Sequence, residues 1–77
     1  MVGDYMAIKT NYELVRAVNG AIAESGIKKY SIAEKMGISR QAFTNFMNKS
    51  NFSLDDANKI LSIIGYETIT KIHKKDE

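Results

Sequence analysis

Apolar residues recur at helical spacing in two segments of this chain, and each series stops at a glycine. Leu14, Val18 and Ile22 fall at i, i+4 and i+8, joined by Val15 and Ala21, and Gly26 follows; Leu54, Ala57, Ile60, Leu61 and Ile64 keep a helical period up to Gly65. An advance of about 100° per residue puts each set on one stripe, so each segment needs a partner against which to bury it. Proline is absent, which lets helices run between the glycines and argues against a turn-rich β-sandwich. The expected fold class is therefore all-α.

Local chemistry places the helix ends. Thr10 is a good N-cap and Glu13, three residues on, completes a capping box for the first helix. Gly20 inside that helix costs roughly 1 kcal/mol against alanine, which close packing by a neighbouring helix would explain. A second helix is expected from about Lys29 to Met36, ending at Gly37, and Ser39 can cap a third that runs to about Asn48. Ser53 starts a fourth, with Asp56 at the capping-box position and Asp55 beside it, both favouring the positive helix end. Thr68 to Ile72 is rich in β-branched residues and reads as a short C-terminal strand. The expected organisation is a flexible arm over residues 1–9, a folded unit over 10–66, and a segment over 67–77 that carries the strand, serves in dimerisation and frays from Lys74 to Glu77. The sequence shows neither an internal repeat nor a low-complexity tract.

Seventy-seven residues suffice for one small core. With 44% hydrophobic and 26% charged residues and no apolar run near the length of a bilayer span, the chain is expected to be neither disordered nor membrane-inserted. Cysteine is absent and the single histidine, His73, lies in a lysine-rich tail. A disulfide framework, a thiolate metal site and a cysteine nucleophile are thereby excluded, and no cofactor, metal or catalytic residue is expected. Asp55 and Asp56 are adjacent on a helix and point in different directions, so they suit capping better than paired acid–base work. Tyr12, Tyr30 and Tyr66 are far apart and not interleaved with arginine, which suits the edges of a core. Met1 to Lys9 lack both a basic segment and a long apolar stretch, so a cytoplasmic location is expected.

Net charge is only +2, but it is unevenly spread. Lys28, Lys29, Lys35, Arg40 and Lys49 stand against Glu34 alone between positions 28 and 49, a local +4, while the rest of the chain carries six basic and eight acidic residues. The same stretch holds the most informative pattern, KYSIAEKMGISRQAFTNFMN, residues 29–48. Two short helices that cross steeply need a small residue where their backbones meet, and Ala33 supplies it. Four residues later the chain must turn sharply, and Gly37 permits positive φ. Ile32, Met36, Ile38, Phe43 and Phe46 qualify for the inner faces of the pair. Arg40, Gln41, Thr44 and Asn45 are left on the outer face of the third helix, a row of hydrogen-bonding side chains able to meet base edges in a major groove.

At these residues the chain resembles the Cro/repressor (XRE) family of helix-turn-helix domains. IAEKMGISRQAFTNFM matches the family's alanine, glycine and serine-started recognition helix, SLDDANKILSIIG looks like its next helix, and the likeness spans about residues 11 to 66. The resemblance implies a compact lambda-repressor-like domain of four or five helices. It implies a sequence-specific double-stranded-DNA-binding transcriptional regulator, a repressor of Cro or phage type, acting as a homodimer without cofactor, membrane or small-molecule substrate. Arg40, Gln41, Thr44 and Asn45 would contact bases; Lys28, Lys29, Tyr30, Ser39, Asn48 and Lys49 would contact phosphates. The chemistry of these residues agrees: arginine pairs with guanine, glutamine and asparagine with adenine, and cations and helix N-termini suit phosphates.

The chain also departs from the family pattern. Lys29, Lys49 and Phe52 stand where glutamine, glycine and proline are usual, which leaves Asn48 as the residue best able to take a left-handed turn after the third helix. Ile22 and Met47 occupy the positions of a frequent arginine–glutamate pair, so apolar packing is expected in place of an ion pair. Beyond Gly65 a β-branched tail replaces the usual fifth helix, as in Cro, and Tyr66, Ile69 and Ile72 could pair with a two-fold mate or with an arm from Met6 to Lys9. The alternative reading is a protein-interaction module, such as an antitoxin or regulatory subunit of the same fold; the methionines and Phe52 could build its surface, but Met36 is a core position of the motif, so packing accounts for most of that signal.

Overall fold

Four α-helices make up the computed structural model, which describes residues 8–70, 72, 74 and 75: α1 (Asn11–Ser25), α2 (Lys29–Met36), α3 (Arg40–Asn48) and α4 (Leu54–Ile63). Their starts are set by short polar side chains. The Ser39 hydroxyl accepts from the Ala42 N–H at 3.1 Å and heads α3. Ser53 and Asp56 form a complete capping box at α4, the hydroxyl accepting from the Asp56 N–H at 3.2 Å and the carboxylate from the Ser53 N–H at 3.0 Å. At α1 the box is only half made. Thr10 Oγ1 accepts from the Glu13 N–H, but the Glu13 carboxylate takes the N–H of Lys9 rather than that of Thr10. A glutamate is one methylene longer than Asp56 and reaches one residue further back. Lys28 has no acceptor to offer, so α2 begins without a side-chain cap.

The turn between α2 and α3 is made by Gly37, whose φ of 76° lies in the left-handed region that a Cβ disfavours. Its N–H donates to the Glu34 carbonyl and the Ile38 N–H donates to the Ala33 carbonyl, both at 3.0 Å. These bonds satisfy the last carbonyls of α2 and fix the direction in which the chain enters α3.

Packing follows the apolar stripes. Leu14, Val18 and Ile22 of α1 are buried, as are Ala57, Ile60 and Leu61 of α4, and these helices lie against each other. Asn11 Nδ2 donates to the Ser50 carbonyl at one end and the Tyr66 hydroxyl donates to Glu24 at the other, so α1 and α4 run side by side in the same direction. The α2–α3 pair closes the core with Ile32, Ala33, Phe43 and Met47. Ile22 and Met47 are both buried in this one apolar cluster, as the absence of the charged pair suggested. Phe52 is 0% exposed and meets Phe46 edge to face, with centroids 5.9 Å apart. Phe52, which the interaction-module alternative would place on its surface, is instead in the core: an aromatic ring at the α3–α4 turn gains more by filling the core than by facing water.

Other expectations are also revised. Gly20 is exposed, and nothing lies within 4 Å of the position a Cβ would take, so no neighbouring helix requires it. Tyr12 and Tyr30 are exposed, and only Tyr66 covers a core edge. Among the described residues there is no strand, and residues 66–70 have no regular structure. A β-branched run gains its ladder hydrogen bonds only from a second strand, and this chain offers none among the described residues. Ile69 and Ile72 are 72% and 96% exposed. Of the expected arm, residues 1–7 lie outside the described residues, while Ile8 and Lys9 are exposed; His73 and residues 71, 76 and 77 also lie outside them. No helix among the described residues is long and apolar enough to cross a membrane.

Candidate nucleic-acid interface

The third helix divides cleanly into two faces. Phe43 and Met47 are buried and Ala42 and Phe46 half-buried, whereas Arg40, Gln41, Thr44, Asn45 and Asn48 are all exposed. At 3.6 residues per turn the exposed set spans an arc of about 140°. The inward pull of Phe43 and Met47 thus fixes which side of α3 faces out. Gln41 Nε2 donates to Asn45 Oδ1 at 3.2 Å, joining two of these side chains along the outer face.

The head of α3 lies against the head of α2. Lys29, Tyr30, Arg40, Phe43 and Thr44 line a shallow cleft of about 210 Å³. Phe43 belongs to the buried core, while the two cations and two hydroxyl-bearing side chains are exposed. Tyr30 is 53% exposed. The uncapped start of α2 presents N–H groups and the positive end of the helix dipole beside these cations, which is an arrangement suited to an anion. Lys28 precedes α2 and Asn48 ends α3, both exposed. The Ser39 hydroxyl already accepts the Ala42 N–H and retains its own proton for donation.

Lys49 is placed differently from the others. Its ammonium is 3.0 Å from Asp56 Oδ2 and 4.6 Å from the centre of the Phe46 ring. The hydrogen bond from Lys49, together with those from Ser53, holds the Asp56 carboxyl below its ordinary value of 3.8 against the opposing effect of burial. Lys49 therefore ties the end of α3 to the start of α4, and its charge is largely matched within the chain. The turn it occupies is extended, with φ −69° and ψ 147°, and no described residue other than glycine has positive φ. Asn48, the residue there best able to turn left-handed, does not do so, because the chain leaves α3 through extended backbone. Phe43 and Asp56 were legible in the sequence as a core residue and a capping residue, yet Phe43 also lines the cleft and Asp56 holds a cation. No local spacing rule links positions 49 and 56, so the ion pair had no signal in the sequence. The Gln41–Asn45 bond did have one, the i, i+4 spacing.

Comparison of the chain with protein-family models, with characterised proteins and with solved structures gives no match.

Proposed function

We propose that this chain is a sequence-specific double-stranded-DNA-binding transcriptional regulator of the Cro or phage repressor type, a lambda-repressor-like helix-turn-helix domain that acts in the cytoplasm as a homodimer. The observation that carries this reading is the outer face of α3. Arg40, Gln41, Thr44 and Asn45 are exposed together on a helix whose opposite face is anchored in the core. An α-helix fits the major groove, and these side chains have the donors and acceptors that base edges require. The cleft at the heads of α2 and α3, with Lys29, Tyr30, Arg40 and Thr44, supports a role for that edge against the phosphate backbone, which positions a protein without specifying sequence.

One such helix contacts few base pairs, so the reading includes a second copy related by a two-fold axis, with half-sites about one DNA turn, ~34 Å, apart. Exposed Ile69 and Ile72 in the tail are the best candidates to join the copies. Selection of bound duplexes from a random pool tests the whole reading. Enrichment of a palindromic sequence with that spacing is the expected result; a pool that stays random after repeated rounds would overturn it.

A further inference from the structure

Gly20 stands in the middle of α1 without a left-handed φ and with open space where a Cβ would lie, so the fold gives no reason for a glycine there. Asn19 precedes it, a half-buried residue whose Oδ1 is buried with no hydrogen-bond partner among the described residues. Every other asparagine of the chain is followed by tyrosine, phenylalanine or lysine. We infer that Asn19–Gly20 is a site of spontaneous deamidation, gated by the opening of α1, and that its isoaspartyl product disrupts that helix.

Water is the only co-reactant. The Gly20 backbone nitrogen attacks Asn19 Cγ and the new C–N bond closes a succinimide ring. The Cγ–Nδ2 bond breaks, and Nδ2 leaves as ammonia with the proton that the Gly20 nitrogen gives up. Water then opens the ring at one of its two carbonyls. Opening at Cγ leaves ordinary aspartate. Opening at the Asn19 backbone carbonyl breaks its bond to the Gly20 nitrogen and leaves the chain running through Cβ and Cγ, an isoaspartyl link. Glycine favours ring closure because it has no Cβ to crowd the attacking nitrogen and its backbone turns freely. The intact helix opposes it. There the Gly20 N–H is held by the carbonyl four residues back, and bringing its nitrogen to Cγ takes Asn19 out of helical φ and ψ. The Asn19 amide must also leave its packing. Val18 and Ile22 on either side are buried, so this part of α1 opens with the core. Ring closure is slow beside refolding, so the rate in the folded protein is the unfolded-chain rate multiplied by the open fraction. Gly20 itself loosens that gate, roughly 4- to 5-fold relative to alanine. An isoaspartyl link adds one backbone atom between Val18 and Ile22, so neither the hydrogen-bond register nor the single apolar stripe continues across it. Each opening of α1 thereby exposes the chain to a change that the fold does not reverse.

The test holds the full chain at mildly alkaline pH, in native buffer and in guanidinium chloride, and locates the amide-to-acid mass change by peptide mapping. Modification at residue 19 should be roughly 100-fold or more slower in native buffer than in denaturant. Met47→Ala, which loosens the core without touching the pair, should raise the native rate at least about 10-fold and leave the denaturant rate unchanged. Gly20→Ala should slow the reaction under both conditions. Isoaspartyl chains, separated by chromatography, should melt well below the wild type or lose the cooperative melt altogether. Equal rates in native buffer and denaturant, or a native rate that Met47→Ala leaves unchanged, would show that the opening of α1 with the core is not the gate. Modification confined to other asparagines would remove the site, and an isoaspartyl chain with the wild-type midpoint would refute the effect on the helix.

Discussion

Replacing Gly20 by alanine should stabilise the domain. The glycine lies within α1, has no left-handed φ, and has open space where a Cβ would sit. Alanine therefore meets no obstacle in the folded chain and narrows the ensemble of the unfolded one. The difference in helix propensity is about 0.8–1.0 kcal/mol. In a domain of this size a change of about 1 kcal/mol moves the melting midpoint by roughly 4–8 °C. Thermal melts followed by circular dichroism, with urea titrations alongside, should show a midpoint raised by that amount and an unchanged urea slope. Asn45→Ala, on an exposed helical face but replacing a residue with ordinary helix propensity, should move it less. An unchanged or lowered midpoint for Gly20→Ala would refute the reasoning, because it would mean that something packs on this face of α1 in solution. A second copy of the chain is the obvious candidate, and dilution would then alter the result.

The remaining expectations concern the core, the ion pair and the charged edge. Met47 is 6% exposed, so Met47→Ala should destabilise by about 2–5 kcal/mol in urea; an unchanged midpoint would show that the core closes without it. Asp56 has a carboxyl held below its ordinary 3.8. Its contribution to stability is thus complete above that value and disappears as the pH falls through the lower folded-state value. Asp56→Asn should flatten the acid limb of stability against pH, and identical acid limbs for wild type and variant would remove Asp56 from the account. DNA affinity should fall with salt by about 0.9 in log K per log salt for each phosphate neutralised, and Lys29→Ala should reduce that slope by about one. A slope indifferent to salt would contradict phosphate contact by this edge. Lys49→Ala is the poorer probe, since it also breaks the pair with Asp56.

What the sequence revealed and what it hid divide by the range of the interactions. Ser39 and Ser53 cap the helices they were expected to cap because a cap is a contact with a backbone N–H three residues away. Gly37 turns where expected because only its own φ is at stake. The outer face of α3 was legible because Phe43 and Met47 define the inner one. Thr68 to Ile72 misled, since β-branched composition states a preference that only a second strand can satisfy. Phe52 was not legible as a core residue from local spacing, because its neighbours, Phe46 at 5.9 Å among them, lie on other elements. Gly20 looked like a packing glycine, but neighbours in space are not written in helical spacing. The cleft that Lys29 and Tyr30 share with the head of α3 likewise follows from the crossing of two helices, which the sequence could indicate only through Ala33 and Gly37.

Because Lys49 is matched by Asp56 at 3.0 Å, the positive field of the 28–49 stretch is not centred on that stretch. The other cations of the stretch are Lys28, Lys29 and Arg40 at the heads of α2 and α3 and Lys35 in the last turn of α2, none of them at the foot of α3. On the DNA-binding reading, a polyanion approaching by diffusion would be drawn to these cations before any short-range contact forms. That attraction would extend about a Debye length, ~10 Å at 0.1 M salt. On that reading, the ion pair that fastens α3 to α4 would also take the Lys49 charge out of the encounter with a polyanion.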